Sequence, residues 1–174
     1  MVTVAELTKK MIDFYEGNHE DIAHFLKVWA YARTIGQLEN LDSDTQLTLE
    51  MAAVVHDISC PTCRRKYGDT AGNHQEAESE ALLRDFLADS DLDEARKERI
   101  IFIVCHHHTY TGVEGLDWQI LLEADYLVNA SENPEKYLPG FDNFRKNVYK
   151  TKTGLALLDS VFPHGSTVDQ AGVI

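Results

Sequence analysis

His56 and Asp57 stand side by side at the close of an apolar run, in "AAVVHDISCPTC" (residues 52–63). Buried charge is costly unless it is paired or bound to a metal, so two titratable residues directly after Val54 and Val55 require partners elsewhere in the chain. Asp125 is one such partner. In "QILLEADYLVNA" its helical neighbours Leu121, Leu122 and Val128 place it on an apolar stripe, where a carboxylate needs a metal, a basic side chain or several hydrogen bonds. His24, in "NHEDIAHFLKVWAYAR", is another, with Glu20 four residues earlier on the same face. One histidine, an adjacent His and Asp, and a distant Asp make an N₂O₂ ligand set with room for water. Such a set suits Mn, Fe, Ni, Co or Mg better than the thiolate-rich surroundings of structural zinc.

The elements that must position these residues read as helices, because apolar spacing follows the helical period along the chain and no alternating run of strand type stands out. The fold class expected is all-α. Leu7, Met11, Phe14 and Tyr15 share a face of a first helix; Ile22, Phe25, Trp29, Ala32 and Ile35 carry a second, ending near Gly36. Ser43 with Gln46 forms a capping box that opens a third helix, and His56 and Asp57 fall at its C-terminus. The stretch "SCPTCRRKYGDTAG" reads as a loop, after which Asn73 with Glu76 starts a fourth helix. A fifth covers residues 93–107 from an Asp93 cap, a sixth residues 117–131, and a last one about 153–162. The tail "PHGSTVDQAGVI" reads as loosely ordered.

A chain of 174 residues fits a single domain of residues 1–174, with a core at about 18–131 and a helical extension at about 134–164. The net charge of −13 argues against a nucleic-acid groove, since phosphate backbones are held by clustered Lys and Arg. The start "MVTVAELTKKM" lacks a hydrophobic signal core, and apolar runs such as "IIFIVC" are too short for a bilayer, so no membrane partner is expected. Three cysteines, an odd number, fit a reducing compartment, and a cytoplasmic location follows as the expectation. Cys60 and Cys63 form a CxxC, but a single such pair is a weak zinc signal. Cys105 reads as a packed residue and His19 and His164 as surface residues; "ASENPEKY" reads as helix end and turn with no chemistry.

His24, His56 with Asp57, and Asp125 resemble the H...HD...D signature of the HD-domain superfamily of metal-dependent phosphohydrolases. "KVWAYARTIGQLE", "KYGDTAGNHQEAE", "HHHTYTG", "GLDWQILLEADYLVNASE" and "TKTGLALL" are similar to its short stand-alone bacterial members, and the resemblance covers nearly the whole chain. It implies a helical bundle and one or two divalent ions. Binuclear members add two histidines between the doublet and the last Asp. His74 and either His106 or His107 occupy those intervals, and the triplet with His108 leaves the assignment open.

A divalent ion lowers the pKa of bound water and polarises a phosphoryl oxygen, so hydrolysis of a small phosphate ester, with a nucleotide favoured, is the economical expectation. Asp57 is then both ligand and candidate to orient or deprotonate the attacking water. The basic cluster Arg64, Arg65 and Lys66 should hang near the ion and meet the phosphate, with Lys66 favoured because it falls in the family-like "KYG". Two other functions are weighed: a di-iron oxygenase of HD-like type, and a non-catalytic nucleotide-binding module. Trp29, Trp118 and surface tyrosines are candidates for a homodimer face.

Overall fold

The computed structural model describes residues 2–167, and among them it contains helices and turns with no strand. In chain order the helices are α1 (Val4–Tyr15), α2 (His19–Leu38), α3 (Ser43–Val55), α4 (Cys60–Tyr67), α5 (Gly72–Phe86), α6 (Glu94–Val104), α7 (Leu116–Glu132), α8 (Pro134–Tyr137), α9 (Phe141–Asn147) and α10 (Lys152–Val161). The all-α expectation holds. No helix among the described residues is long and apolar enough to cross a membrane.

Two of these helices are buried nearly all round and form the scaffold. In α3 every residue from Thr48 to Val55 is buried, and α7 buries an unbroken run from Asp117 to Val128. A helix without a wet face belongs in the centre of a bundle, and here α2 lies against both, with α6 and α1 on α3 and α10 on α7. Gly36 lets α2 and α3 close up, since a Cβ there would run into the Gln46 side chain and meet Leu49 Cδ2 at 3.1 Å. Each large apolar side chain buried in this core contributes about 1.5–3 kcal/mol, so the ends of α3 and the middle of α7 are rigid mounting points.

Local punctuation differs from expectation in three places. Asp42, not Ser43, caps α3: its carboxylate accepts from the backbone N–H groups of Asp44 and Thr45 at 3.0 Å, while Gln46 turns to Glu50 instead of closing a capping box. Helix α5 begins at Gly72 behind Ala71, without a side-chain cap from Asn73. The stretch expected as a loop contains α4, with Pro61 in its first turn and Gly68 ending it in the left-handed conformation at φ 77°. Proline and glycine there are helix start and stop signals rather than loop signals. The Asp93 cap is present, accepting from Arg96 N at 2.9 Å.

The C-terminal segment is fastened to α7 by a buried carboxylate. Glu123, fully buried, accepts from Gln119 Nε2 at 2.8 Å, Lys150 N at 2.7 Å, Thr151 N at 3.0 Å and Thr151 Oγ1 at 2.5 Å. Gly154 lies so close that a Cβ would collide with the Glu123 carboxylate. Residues 163–167 turn past the end of α10, and the rest of the tail expected to be loose, residues 168–174, lies outside the described residues. Trp118 is buried, with its indole N–H on His106 O at 3.0 Å, and the Trp29 indole donates to Glu50 at 3.0 Å, so both rings are used within the chain.

Candidate metal centre

His24 projects from the second turn of α2, His56 and Asp57 from the turn that ends α3, and Asp125 from the middle of α7. Residues 32 to 101 positions apart thus meet in one cluster. His24 Nε2 lies 3.2 Å from Asp125 Oδ1, 3.3 Å from Asp57 Oδ2 and 3.3 Å from His56 Nε2. His56 Nε2 is 3.5 Å from both Asp57 Oδ2 and Asp125 Oδ1. Donors bound at about 2.0–2.2 Å from one ion stand about 3.0 Å apart at octahedral corners and about 3.4 Å apart in a tetrahedron. The observed spacings are therefore those of ligands around a shared cation.

The outer ring nitrogens support the same reading. His24 Nδ1 donates to Glu132 Oε2 at 2.8 Å, His56 Nδ1 to the Ala53 carbonyl at 2.8 Å and His107 Nδ1 to the Val104 carbonyl at 2.6 Å. An acceptor opposite Nδ1 fixes the orientation of each ring and aims its Nε2 at the cluster. His107 Nε2, buried and without a hydrogen-bond partner, is 3.5 Å from Asp57 Oδ1. His108 Nε2 is also buried and unpartnered. Two groups of potential ligands result, His24–His56–Asp57 and Asp57–His107–His108, and Asp57 belongs to both. The donor set fits one divalent ion well and leaves a second place beside it.

Electrostatics follow from burial and proximity. Burial opposes protonation of His24, but the hydrogen bonds to Asp125 and Glu132 and the charge of Asp57 outweigh it and raise its pKa from 6.5 to about 11. Burial likewise opposes ionisation of Asp57 and Asp125. The charge of His56, with His107 and His24, holds the Asp57 carboxyl well below the usual range, and His24 and His56 do the same for Asp125. Burial, and then the charge of His107, lowers His108 to about 4, so its ring is neutral and free to donate a lone pair near pH 7. Burial pushes the Cys60 thiol far up, and Cys63 up as well, so neither offers a thiolate.

The remaining residues singled out in the sequence are placed as follows. His106 turns away from the cluster: its Nδ1 donates to the Phe102 carbonyl at 2.7 Å and its ring stacks on Phe102. His74 sits at the surface with Nδ1 on Asp69 at 2.7 Å and its ring stacked on Tyr67 at 4.0 Å. Lys66, Arg65 and Arg64 ride on α4, whose helical twist spreads them. Lys66 bonds to Glu78, Arg65 to Thr62, and Arg64 forks onto both oxygens of Asp21 at 2.6 and 2.7 Å. Of the three, only Arg64 lines the cleft above the cluster, a cavity of about 410 Å³ whose walls include Asp21, His24, Asp57, His108 and Asp125.

Asn129, and Glu132 in the segment read as free of chemistry, support the ligands and were missed in the sequence. Asn129 Nδ2 donates to Asp125 Oδ1 at 2.8 Å, and Glu132 grips His24 while Lys27 steadies its other oxygen at 3.0 Å. The signal was available, since positions 125, 129 and 132 repeat at helical spacing on one face of α7. The turn carrying the doublet is itself pinned by Tyr15, whose hydroxyl donates to the Asp57 carbonyl at 2.8 Å. A carboxylate behind a ligating histidine usually contributes 10–100-fold in metal affinity. Glu132→Gln is therefore expected to weaken metal binding by about tenfold or more without loss of helix content, as read by competition with a chromogenic chelator.

A family model, HD domain, matches residues 21–135, which is most of the chain and runs from within α2 past the end of α7. No curated protein and no solved structure matches. HD domains are typically metal-dependent hydrolases. His24, the His56–Asp57 doublet and Asp125 all lie inside the match and meet in one buried cluster, and the chain belongs to the HD domain family.

Proposed function

We propose that this protein is a metal-dependent phosphohydrolase that cleaves a small phosphate ester, a nucleotide monoester being the class we favour. The observation that carries the reading is the convergence of three histidine Nε2 atoms and two carboxylates in one cluster, of which His24, Asp57 and Asp125 line a cleft. One or two divalent ions bound there would supply Lewis acidity toward the phosphoryl oxygens and lower the pKa of water.

The chain's own residues do the rest. His24, His56, Asp57 and Asp125 would hold the first ion, and Glu132, Asn129 and the Ala53 carbonyl keep them in register. Asp57 presents Oδ2 to His24 and His56 and Oδ1 to His107, so its carboxylate stands where it can accept a hydrogen bond from an attacking water and orient it. His107 and His108, with Asp57, would hold a second ion. Glu20, Asp21, Asp57, Asp125 and Glu132 make the cleft acidic, and bound cations would offset that charge toward an anionic substrate. Chelation is expected to abolish phosphate release from a nucleotide panel, and returning Mn, Co, Ni, Mg or Fe to restore it; full activity after chelation would sink the reading.

The raised pKa of His24 gives the pH dependence its sign. Without metal the ring holds its proton at neutral pH, and a ligand must lose it. Metal uptake is expected to release about one proton at pH 7 from this site, and apparent affinity to climb as pH rises from 6 to 8. Titration calorimetry in buffers of different ionisation enthalpy measures that proton; a buffer-independent heat would contradict it. In the metal-free protein the same shift contributes stability that is complete below pH 6.5 and fades as pH approaches about 11.

A further inference from the structure

The metal ligands account for the reacting end of a phosphate ester but not for what guides an anion into an acidic cleft. This step rests on the hydrolase reading above. The basic cluster of α4 does not fill the role. Lys66 and Arg65 lie outside the cavity lining, and Arg64, which is inside it, has its guanidinium fork closed on Asp21.

The other cation in the lining is Lys136, on the single turn of α8. Among the described residues its ammonium has no carboxylate partner. Glu132, four residues earlier, is already engaged by His24 and Lys27. Lys136 Nζ stands 5.0 Å from the centroid of the Tyr137 ring, a neighbour in the same lining. A ring face steadies an ammonium without cancelling its charge as a carboxylate does. Pro134 in the first turn of α8, and the Asn133 side chain accepting from Lys136 N at 3.3 Å, fix the backbone that presents it.

We propose that Lys136 is the phosphate-anchoring residue of the cleft, receiving an oxygen of a phosphate monoester dianion that the metal ligands do not reach. A compact ammonium with three donors suits a tetrahedral dianion, and Lys136 lines the same cavity as His24, Asp57 and Asp125.

The test uses the full chain loaded with metal and inorganic phosphate as probe, followed by calorimetry, with p-nitrophenyl phosphate for turnover. Loss of one charge-assisted contact is expected to weaken phosphate binding and raise KM about tenfold in Lys136→Met, with metal content unchanged and kcat little altered. Lys136→Arg should stay within about threefold of wild type, and Lys66→Ala should match it. Lys136 is exposed, so the fold tolerates either change. Wild-type phosphate affinity and KM in Lys136→Met would overturn the proposal and leave the hydrolase reading standing. Metal-loaded wild type that neither binds phosphate nor releases it from the ester would overturn both.

Discussion

Asp57→Ala is expected to lose bound metal and to lower turnover by at least about a thousandfold while leaving the protein folded. The size of the effect follows from position. Asp57 is the residue common to both ligand groups, so its removal takes an anionic donor from each, leaving Asp125 as the one carboxylate beside His24 and His56 and none beside His107 and His108. The fold survives because what anchors this turn is backbone: Tyr15 bonds the Asp57 carbonyl, and Cys60 N donates to the same oxygen at 2.9 Å. His107→Ala is the instructive contrast. It touches only the second group, so metal content should fall without vanishing, and elemental analysis of the two variants side by side separates the places. Equal metal in Asp57→Ala and wild type would contradict this assignment.

Glu123→Ala is expected to be the most destabilising single change outside the metal cluster, by about 3–5 kcal/mol, because it strands several buried donors at once. Lys150 N, Thr151 N and the Thr151 hydroxyl all point at that carboxylate, which is fully buried. For a chain of this length about 1 kcal/mol moves Tm by 2–4 °C, so a drop on the order of 10 °C should appear in thermal unfolding. Glu123→Gln keeps an acceptor for the two backbone N–H groups and should cost clearly less. The consequence for function is indirect. The HD domain match ends at residue 135, yet the segment beyond it is locked to α7 two residues from Asp125. A Glu123→Ala protein as stable as wild type would show that the extension is not fastened there.

Helix positions on the scaffold were legible because apolar periodicity is a local signal. α1, α2, α6, α7 and α10 each carry a stripe or an all-apolar run that their own sequence displays. Helix α4 was not legible: eight residues with three consecutive cations show no stripe, and its burial rests on Cys60 and Cys63 alone. The missed helix changed the chemistry inferred, because a loop would have carried Arg64, Arg65 and Lys66 together, whereas a helix disperses them over different partners. Within the site, His24, His56, Asp57 and Asp125 stood out as polar residues on apolar faces, a contrast visible in one dimension. The histidine triplet was undecidable from sequence, since a turn at the end of α6 sends His106 to Phe102, His107 to Asp57 and His108 to the cleft wall. Glu132, Asn129 and Lys136 were passed over because polar residues at a helix end look solvated. Their importance comes from partners such as His24, more than a hundred residues away.

Elemental analysis of the protein purified without added metal tests most directly whether the buried His and Asp residues form a metal centre. One or two divalent ions per chain are predicted, retained through gel filtration and lost in Asp57→Ala. Wild-type protein that carries no metal, and takes up none when offered Mn, Fe, Co, Ni or Mg, would contradict a metal centre and leave Asp57 and Asp125 as carboxylates paired with protonated His24.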